Sequence, residues 1–301
     1  MRVGVHTSIS GGLANAAHRA HEIGCDSLQI FSANPRGWHE SQPSAEGCRK
    51  FCEARASYKL LPLAIHANYL INLAAADPVV RIPSIAGFRR ELQRAVSFHA
   101  EYVLLHPGSA KNGSRSSAVK RFAQSLLKAA KGLQLDGLTV LIENTAGQGS
   151  LLGATFEELA EILTGIQQEV PAGVCIDTAH SFAAGYAIHT PRGLGETVRQ
   201  LDATVGLRNV RLIHANDSKA AFASHVDRHH HIGKGWIGLE GFRRIVRHPK
   251  LRAIPFICET PVDKPDDDRR NVEMMRRLAG SGKRQASRWA RGSGQEGIGK
   301  V

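Results

Sequence analysis

Six short, mostly apolar runs in this chain each end in a side chain that can hold a metal ion or move a proton. The run 63–65 ends in His66, 103–105 in His106, 140–142 in Glu143, 174–176 in Asp177, 211–213 in His214 and 256–258 in Glu259. His180 follows Asp177 by three residues, and Asp227 and His229 stand two apart, so an extended segment would point both the same way. Taken singly, a strand-end histidine is usually a hydrogen-bonded structural residue, and a lone glutamate a cap or an ion-pair partner. The same arrangement at six successive runs points instead to a metal site. The donor types, imidazole and carboxylate without thiolate, suit Zn²⁺ or Mn²⁺/Fe²⁺ better than Mg²⁺, which prefers oxygen alone. Nine donors (His66, His106, Glu143, Asp177, His180, His214, Asp227, His229 and Glu259) exceed the needs of one tetrahedral ion and imply two or three. A positively charged floor of that kind stabilises an anion, and two-metal sites recur in phosphoryl displacement.

Something must bring these residues together. Eight β-rich segments, at 3–9, 27–32, 63–67, 102–106, 139–143, 173–177, 210–214 and 255–259, are short and almost continuously apolar, as expected of parallel strands covered on both faces. Helical spacing between them predicts helices over 13–23, 88–99, 119–133 and 156–166. Eight strands alternating with helices over residues 1–280 predict an α/β fold, a single (β/α)₈ TIM barrel, in which all strand C-termini open onto the face that carries active sites. A doubly wound open sheet is the competitor, disfavoured because no G-x-G-x-x-G follows the first strand. Two stretches break the rhythm. Residues 217–235 form a long polar segment without periodicity, and 281–301 read as a flexible basic tail, either a solvated terminus or an auxiliary DNA-binding arm.

The 301 residues carry 39 Lys and Arg against 27 Asp and Glu, a net charge of +12 that favours polyanionic partners. Five cysteines without a Cys-x-x-Cys pair argue against zinc fingers and disulfide scaffolds and suit a reducing cytosol. Cys48 and Cys52 would be neighbours on a helix. No apolar run approaches the ~18 residues of a membrane helix, and the first residues do not read as a signal peptide. The expectation is therefore a cytoplasmic protein with no membrane partner.

The motifs as they stand resemble the endonuclease IV family, zinc-dependent apurinic/apyrimidinic (AP) endonucleases of base-excision repair. The stretches that carry the likeness are His66 with the run 69–73, His106-Pro107-Gly108-Ser109, residues 142–149, residues 174–180, His214-Ala215-Asn216-Asp217-Ser218, and Val226-Asp227-Arg228-His229-His230 leading to Gly233. The resemblance runs from His6 to Pro261 and implies three zinc ions per chain, with Mn²⁺ an alternative at one. His66, His106 and Glu143 would hold the first; Glu143 would bridge to a second held by Asp177, His214 and Glu259; His180, Asp227 and His229 would hold the third. It also implies hydrolysis of the phosphodiester 5′ to an abasic site in damaged double-stranded DNA by a metal-bridging hydroxide, leaving a 3′-hydroxyl and a 5′-deoxyribose phosphate, together with trimming of blocked 3′ ends. Glu143 and Glu259 would be the catalytic carboxylates, Glu259 orienting the water or taking its proton. Arg36, Tyr69 and Leu70 would enter the gap left by the extruded nucleotide. For Tyr69 and Leu70, packing beneath their loop is the alternative, and for Arg36 an ordinary surface role. Gly37 and Ala67 depart from the polar or acidic residues that relatives can carry there. His6 falls outside the ligand set, as a supporting or packing residue. The chain would act as a monomer.

Two other readings compete. A sugar isomerase or epimerase shares such a barrel and metal rim, but generally needs two ions and gives no purpose to the Asp227/His229 pair or the basic charge. A basic barrel that binds nucleic acid without cutting it would have no need of a complete donor set.

Overall fold

The computed structural model describes residues 1–38, 43–111 and 113–280. The proposed tail at 281–301 lies outside the described residues. The strands run β1 (Val3–Thr7), β2 (Ser27–Phe31), β3 (Leu63–His66), β4 (Tyr102–Leu105), β5 (Thr139–Glu143), β6 (Ala172–Asp177) and β7 (Val210–His214). They are followed by a short ribbon, β8 (Asp217–Ser218) and β9 (His229–His230), and by β10 (Phe256–Cys258). All but β8 and β9 close into one parallel barrel in the order β1-β10-β7-β6-β5-β4-β3-β2. The expected (β/α)₈ barrel is the fold observed.

The outer layer is α1 (Leu13–Ile23), α2 (Ala45–Ser57), α3 (Pro78–Ser97), α4 (Arg115–Ala130), α5 (Phe156–Thr164), α6 (Thr178–Ala183), α7 (Pro191–Thr204), α8 (Gly238–Arg247) and α9 (Asp267–Ala279). Cys48 and Cys52 do share α2. Two predicted helices start earlier than expected. α3 begins ten residues before 88, where Asp77 caps the Val79 N–H and Pro78 fills the first helical position. α4 begins at Arg115, with Ser114 accepting from Ser117 N.

Alternation along the strands builds two cores. Residues such as Val3, Val5, Leu28, Ile30, Val140 and Ile142 face the helices. Inside the barrel, Ala64, Leu104, Leu141, Cys175, Leu212 and Ile257 form a separate, fully buried plug, one residue from each of six strands. The period-2 pleat then dictates what lies above it. Two residues beyond these six, in order, come His66, His106, Glu143, Asp177, His214 and Glu259. The apolar floor and the polar mouth are thus consecutive layers of one side-chain lattice.

The long segment 217–235 is less irregular than its sequence. β8 and β9 pair antiparallel, Asp217 opposite His230 and Ser218 opposite His229. Buried Asp217 ties down the next turn, its carboxylate accepting from the N–H groups of Gly235 at 3.0 Å and Ile237 at 2.9 Å.

Candidate metal centre

The barrel mouth gathers the nine donors into three groups. His66, His106 and Glu143 form one; Glu143, Asp177, His214 and Glu259 a second; Asp177, His180 and His229 a third, with donor atoms in each group within 4.8 Å of one another. Asp227 closes the third group, its two oxygens each 3.2 Å from His180 Nε2 and His229 Nε2. Glu143 belongs to two groups, as the sequence reading expected of a bridging carboxylate, and so does Asp177, for which no bridging role was expected.

The donors fit metal ions better than they fit one another. Glu143 Oε2 and His229 Nε2 are buried without a hydrogen-bond partner, a costly arrangement unless something else satisfies them. Glu143 Oε2 lies 3.5 Å from His66 Nε2 and 3.6 Å from His106 Nε2, too long for hydrogen bonds. Donors ~2.1 Å from a common tetrahedral ion stand about 3.4 Å apart, which is close to this spacing.

Neighbouring groups aim most of the rings. His66 Nδ1 donates to Ala67 O at 2.8 Å and His180 Nδ1 to Asn144 O at 2.9 Å, so both turn Nε2 toward the mouth. His229 Nδ1 lies 3.3 Å from Glu259 O. Asp177 divides its oxygens: Oδ1 caps α6 by accepting from His180 N at 2.8 Å, while Oδ2 faces the donors and accepts from Asn216 Nδ2 at 2.5 Å. Asn144 Oδ1 accepts from Asp177 N at 2.6 Å, and Asn216 Oδ1 from Glu259 N at 2.8 Å. Both asparagines lie in the motif stretches, with no signal of their own as donors. Their position one and two residues beyond a donor was the available signal.

The protonation states follow from the crowding. Burial disfavours the charged rings, but the facing carboxylates override it: Asp177 and Asp227 push His180 up to about 10, and lift His229 to about 9. His214 is raised well above its ordinary value, burial being outweighed by neighbours that include Cys175, Glu143 and Glu259. Burial would raise Glu143 and Glu259, yet His214 beside both holds them well below the carboxylate range. His106, more dominated by burial, is lowered. Without metal, protonated imidazoles therefore neutralise the carboxylates.

The triple histidine resolves cleanly. His229 joins the centre, whereas His231 Nε2 faces Asp263 at 3.5 Å and Asp267 at 3.8 Å. Asn271 Oδ1 accepts from Ile232 N at 2.9 Å, so its Nδ2 must face His231 Nδ1, at 3.1 Å. That leaves the ring proton on Nε2, toward the carboxylates, and makes this outer cluster an anchor for the chain after β9.

Above the donors an open pocket of about 240 Å³ is walled by His6, Phe31, Tyr69 and Thr260. Tyr69 is 59% exposed and Leu70 37% exposed, so neither is packed beneath its loop. The Tyr69 ring stands edge-on to Phe31, 5.0 Å between centroids. Arg36 is exposed on the neighbouring loop. One side chain that sequence reasoning missed joins these loops. Buried Asn68 donates to Asn34 O at 3.1 Å and Gly37 O at 2.7 Å, and accepts from Leu70 N at 2.8 Å. Beneath them, a buried Ser32–Glu91–Arg94 network fixes the base of the Arg36 loop, with Arg94 Nε donating to Ser32 at 2.6 Å. Trp38 closes its far end in a slot opened by Gly87 on α3, where a Cβ would meet the indole at 2.9 Å.

A closed parallel barrel carrying three contiguous His/carboxylate groups at its C-terminal mouth defines a TIM-barrel protein whose donors could hold metal ions. The xylose isomerase-like TIM barrel family matches residues 17–278. A probable endonuclease 4 from Solibacter usitatus is 51% identical over 283 residues, covering 93% of this chain and 98% of its own length. The crystal structure of endonuclease IV from Thermus thermophilus superposes with a TM-score of 0.83 at 37% identity, over 93% of this chain and 99% of that one. The chain belongs to the endonuclease IV family. A D-psicose 3-epimerase from Clostridium cellulolyticum superposes with a TM-score of 0.62 over 94% of this chain and 96% of its own, but at 14% identity shares the fold alone. No described helix is long and apolar enough to cross a membrane.

Proposed function

We propose that this protein is a zinc-dependent AP endonuclease of DNA repair. It hydrolyses the phosphodiester 5′ to an abasic site in duplex DNA, leaving a 3′-hydroxyl and a 5′-deoxyribose phosphate. The observation that carries the reading is the convergence of all nine donors on one mouth in a chain of this family. His66, His106 and Glu143 would hold one ion, Glu143, Asp177, His214 and Glu259 a second, and His180, Asp227 and His229 a third, with Mn²⁺ able to replace zinc at one. When bound, such ions lower the pKa of water to about 7 and neutralise charge on a phosphoryl group.

The chain's own groups supply the rest. Glu259 offers Oε2 to the centre while His6 lies 3.3 Å from Oε1, which supports the reading of this carboxylate as the group that orients the attacking water and takes its proton. Tyr69, Leu70 and Arg36 rise beside the pocket as the residues that fill the duplex where the nucleotide leaves the stack. The net charge of +12 draws in the backbone. The same mouth accepts blocked 3′ ends, whose scissile phosphate presents the same chemistry. The enzyme works in the cytoplasm as a monomer, with 1–280 as its catalytic domain.

The test is incision of a duplex carrying one tetrahydrofuran abasic analogue, which cannot undergo β-elimination. A 3′-hydroxyl product that disappears on prolonged chelation and returns with zinc is expected. A zinc-loaded protein that leaves the duplex intact refutes the proposal. A Glu259→Gln variant with full zinc content and wild-type single-turnover cleavage would sink the role given to Glu259.

A further inference from the structure

We infer that Gln29 is the positioning residue that decides which atoms of His214 and Glu259 meet the metal ions, an inference that rests on the metal-centre reading above. Gln29 lies in the middle of β2, between Leu28 and Ile30, which face the helices, and shares the inward face of the strand with Ser27 and Phe31. It is wholly buried. An amide taken out of water there is unfavourable unless each end finds a partner. Each end does. Its Nε2 donates to Glu259 Oε1 and lies 3.0 Å from His6 Nδ1; its Oε1 lies 2.9 Å from His214 Nε2. β2 and β7 are not neighbours in the barrel, so this side chain spans the interior to reach the ring.

The chemistry of the partners leaves one assignment. An ionised carboxylate only accepts, so the amide must turn its NH₂ to Glu259. Its carbonyl oxygen then faces His214 Nε2, which must be the donor. The ring proton is thereby held on Nε2, and Nδ1 is the nitrogen free for a metal. Nδ1 is also the atom that faces the other donors, 2.9 Å from both Glu143 Oε1 and Glu259 Oε2. His66 and His180 present Nε2 because backbone carbonyls take their Nδ1. His214 presents the opposite nitrogen because Gln29 takes the other. The same amide occupies Glu259 Oε1 and leaves Oε2 for the centre. One neutral side chain thus fixes two ligands of the second group without adding charge to it.

The test compares zinc retention and ring tautomers in wild type and Gln29→Leu, a replacement of similar size that removes both bonds and suits an apolar barrel interior. Zinc content and chelator competition are expected to show one ion held about 10- to 100-fold more weakly in Gln29→Leu, the usual effect of losing a ligand's supporting partner, with the other two retained. Nitrogen-15 NMR of the zinc-loaded wild type is expected to place the His214 proton on Nε2. That second measurement decides the matter even where the variant does not fold. A His214 proton on Nδ1 in the loaded wild type, or a folded Gln29→Leu that keeps all its zinc at wild-type affinity, overturns the inference. A wild type that takes up no zinc would instead remove the metal-centre reading, and this inference with it.

Discussion

The third donor group should bind its ion with a steep dependence on pH. It is the most open of the three, with the Asp227 side chain 43% exposed and His229 19% exposed, so it is the first to lose metal to a chelator. In the metal-free chain His180 titrates at about 10 and His229 at about 9, while Asp227 is held below its ordinary value by those two rings. At neutral pH an ion entering this group must therefore displace about two protons, one from each ring. Each displaced proton makes the apparent affinity change tenfold per pH unit, so zinc at this group should tighten about 100-fold per unit up to pH ~9. Chelator competition at half-unit steps from pH 6.5 to 8 measures the slope. Calorimetry in two buffers of different protonation heat counts the protons. In a His180→Asn variant the count should fall by about one. A flat affinity profile, or metal uptake without proton release, would refute the protonation states argued above.

Four further outcomes are expected. Tyr69→Ala and Leu70→Ala should each weaken binding to an abasic duplex by about tenfold, the loss of ~1.5 kcal/mol of apolar contact, with zinc content unchanged in metal analysis. Asn68→Asp, which faces two carbonyls with acceptors only, should raise KM for the abasic duplex several-fold at constant kcat, read in steady-state incision. Gly87→Val should press on the Trp38 indole and cost about 1–3 kcal/mol in denaturant unfolding. The metal-free protein should lose stability as pH rises. His180 and His229 are raised from 6.5 to about 10 and about 9, so their contribution is complete below pH 6.5 and disappears through those values, which thermal melts from pH 6 to 10 would follow.

The barrel and most of its centre could be read in advance because both depend on the same two-residue alternation. A donor at the end of an apolar run announces its strand, its face and its height in the barrel at once. Gln29 escaped notice for the converse reason: a polar residue inside a strand looks like a flaw in the pattern until its partners, 185 and 230 residues away, are known. Asn68 was equally hidden, since its partners are backbone carbonyls with no sequence signature. The start of α3 was missed because the expected apolar spacing begins at 88, whereas Asp77 and Pro78 mark the first turn by capping chemistry. The β8/β9 ribbon was read as loop because two-residue strands are too short to show a period.

The ribbon also makes the centre separable in its assembly. Closure of the barrel alone brings together His66, His106, Glu143, Asp177, His214 and Glu259, since all six ride on its strands or their immediate ends. Asp227 and His229 arrive only when the chain from 217 to 238 folds back and is clasped by Asp217. Two donors of the third group thus ride on a ribbon separate from the barrel strands, while Asp177 and His180 come from β6 and α6. The exposed stretch between β8 and β9 can therefore vary in sequence without touching the strands that carry the other donors.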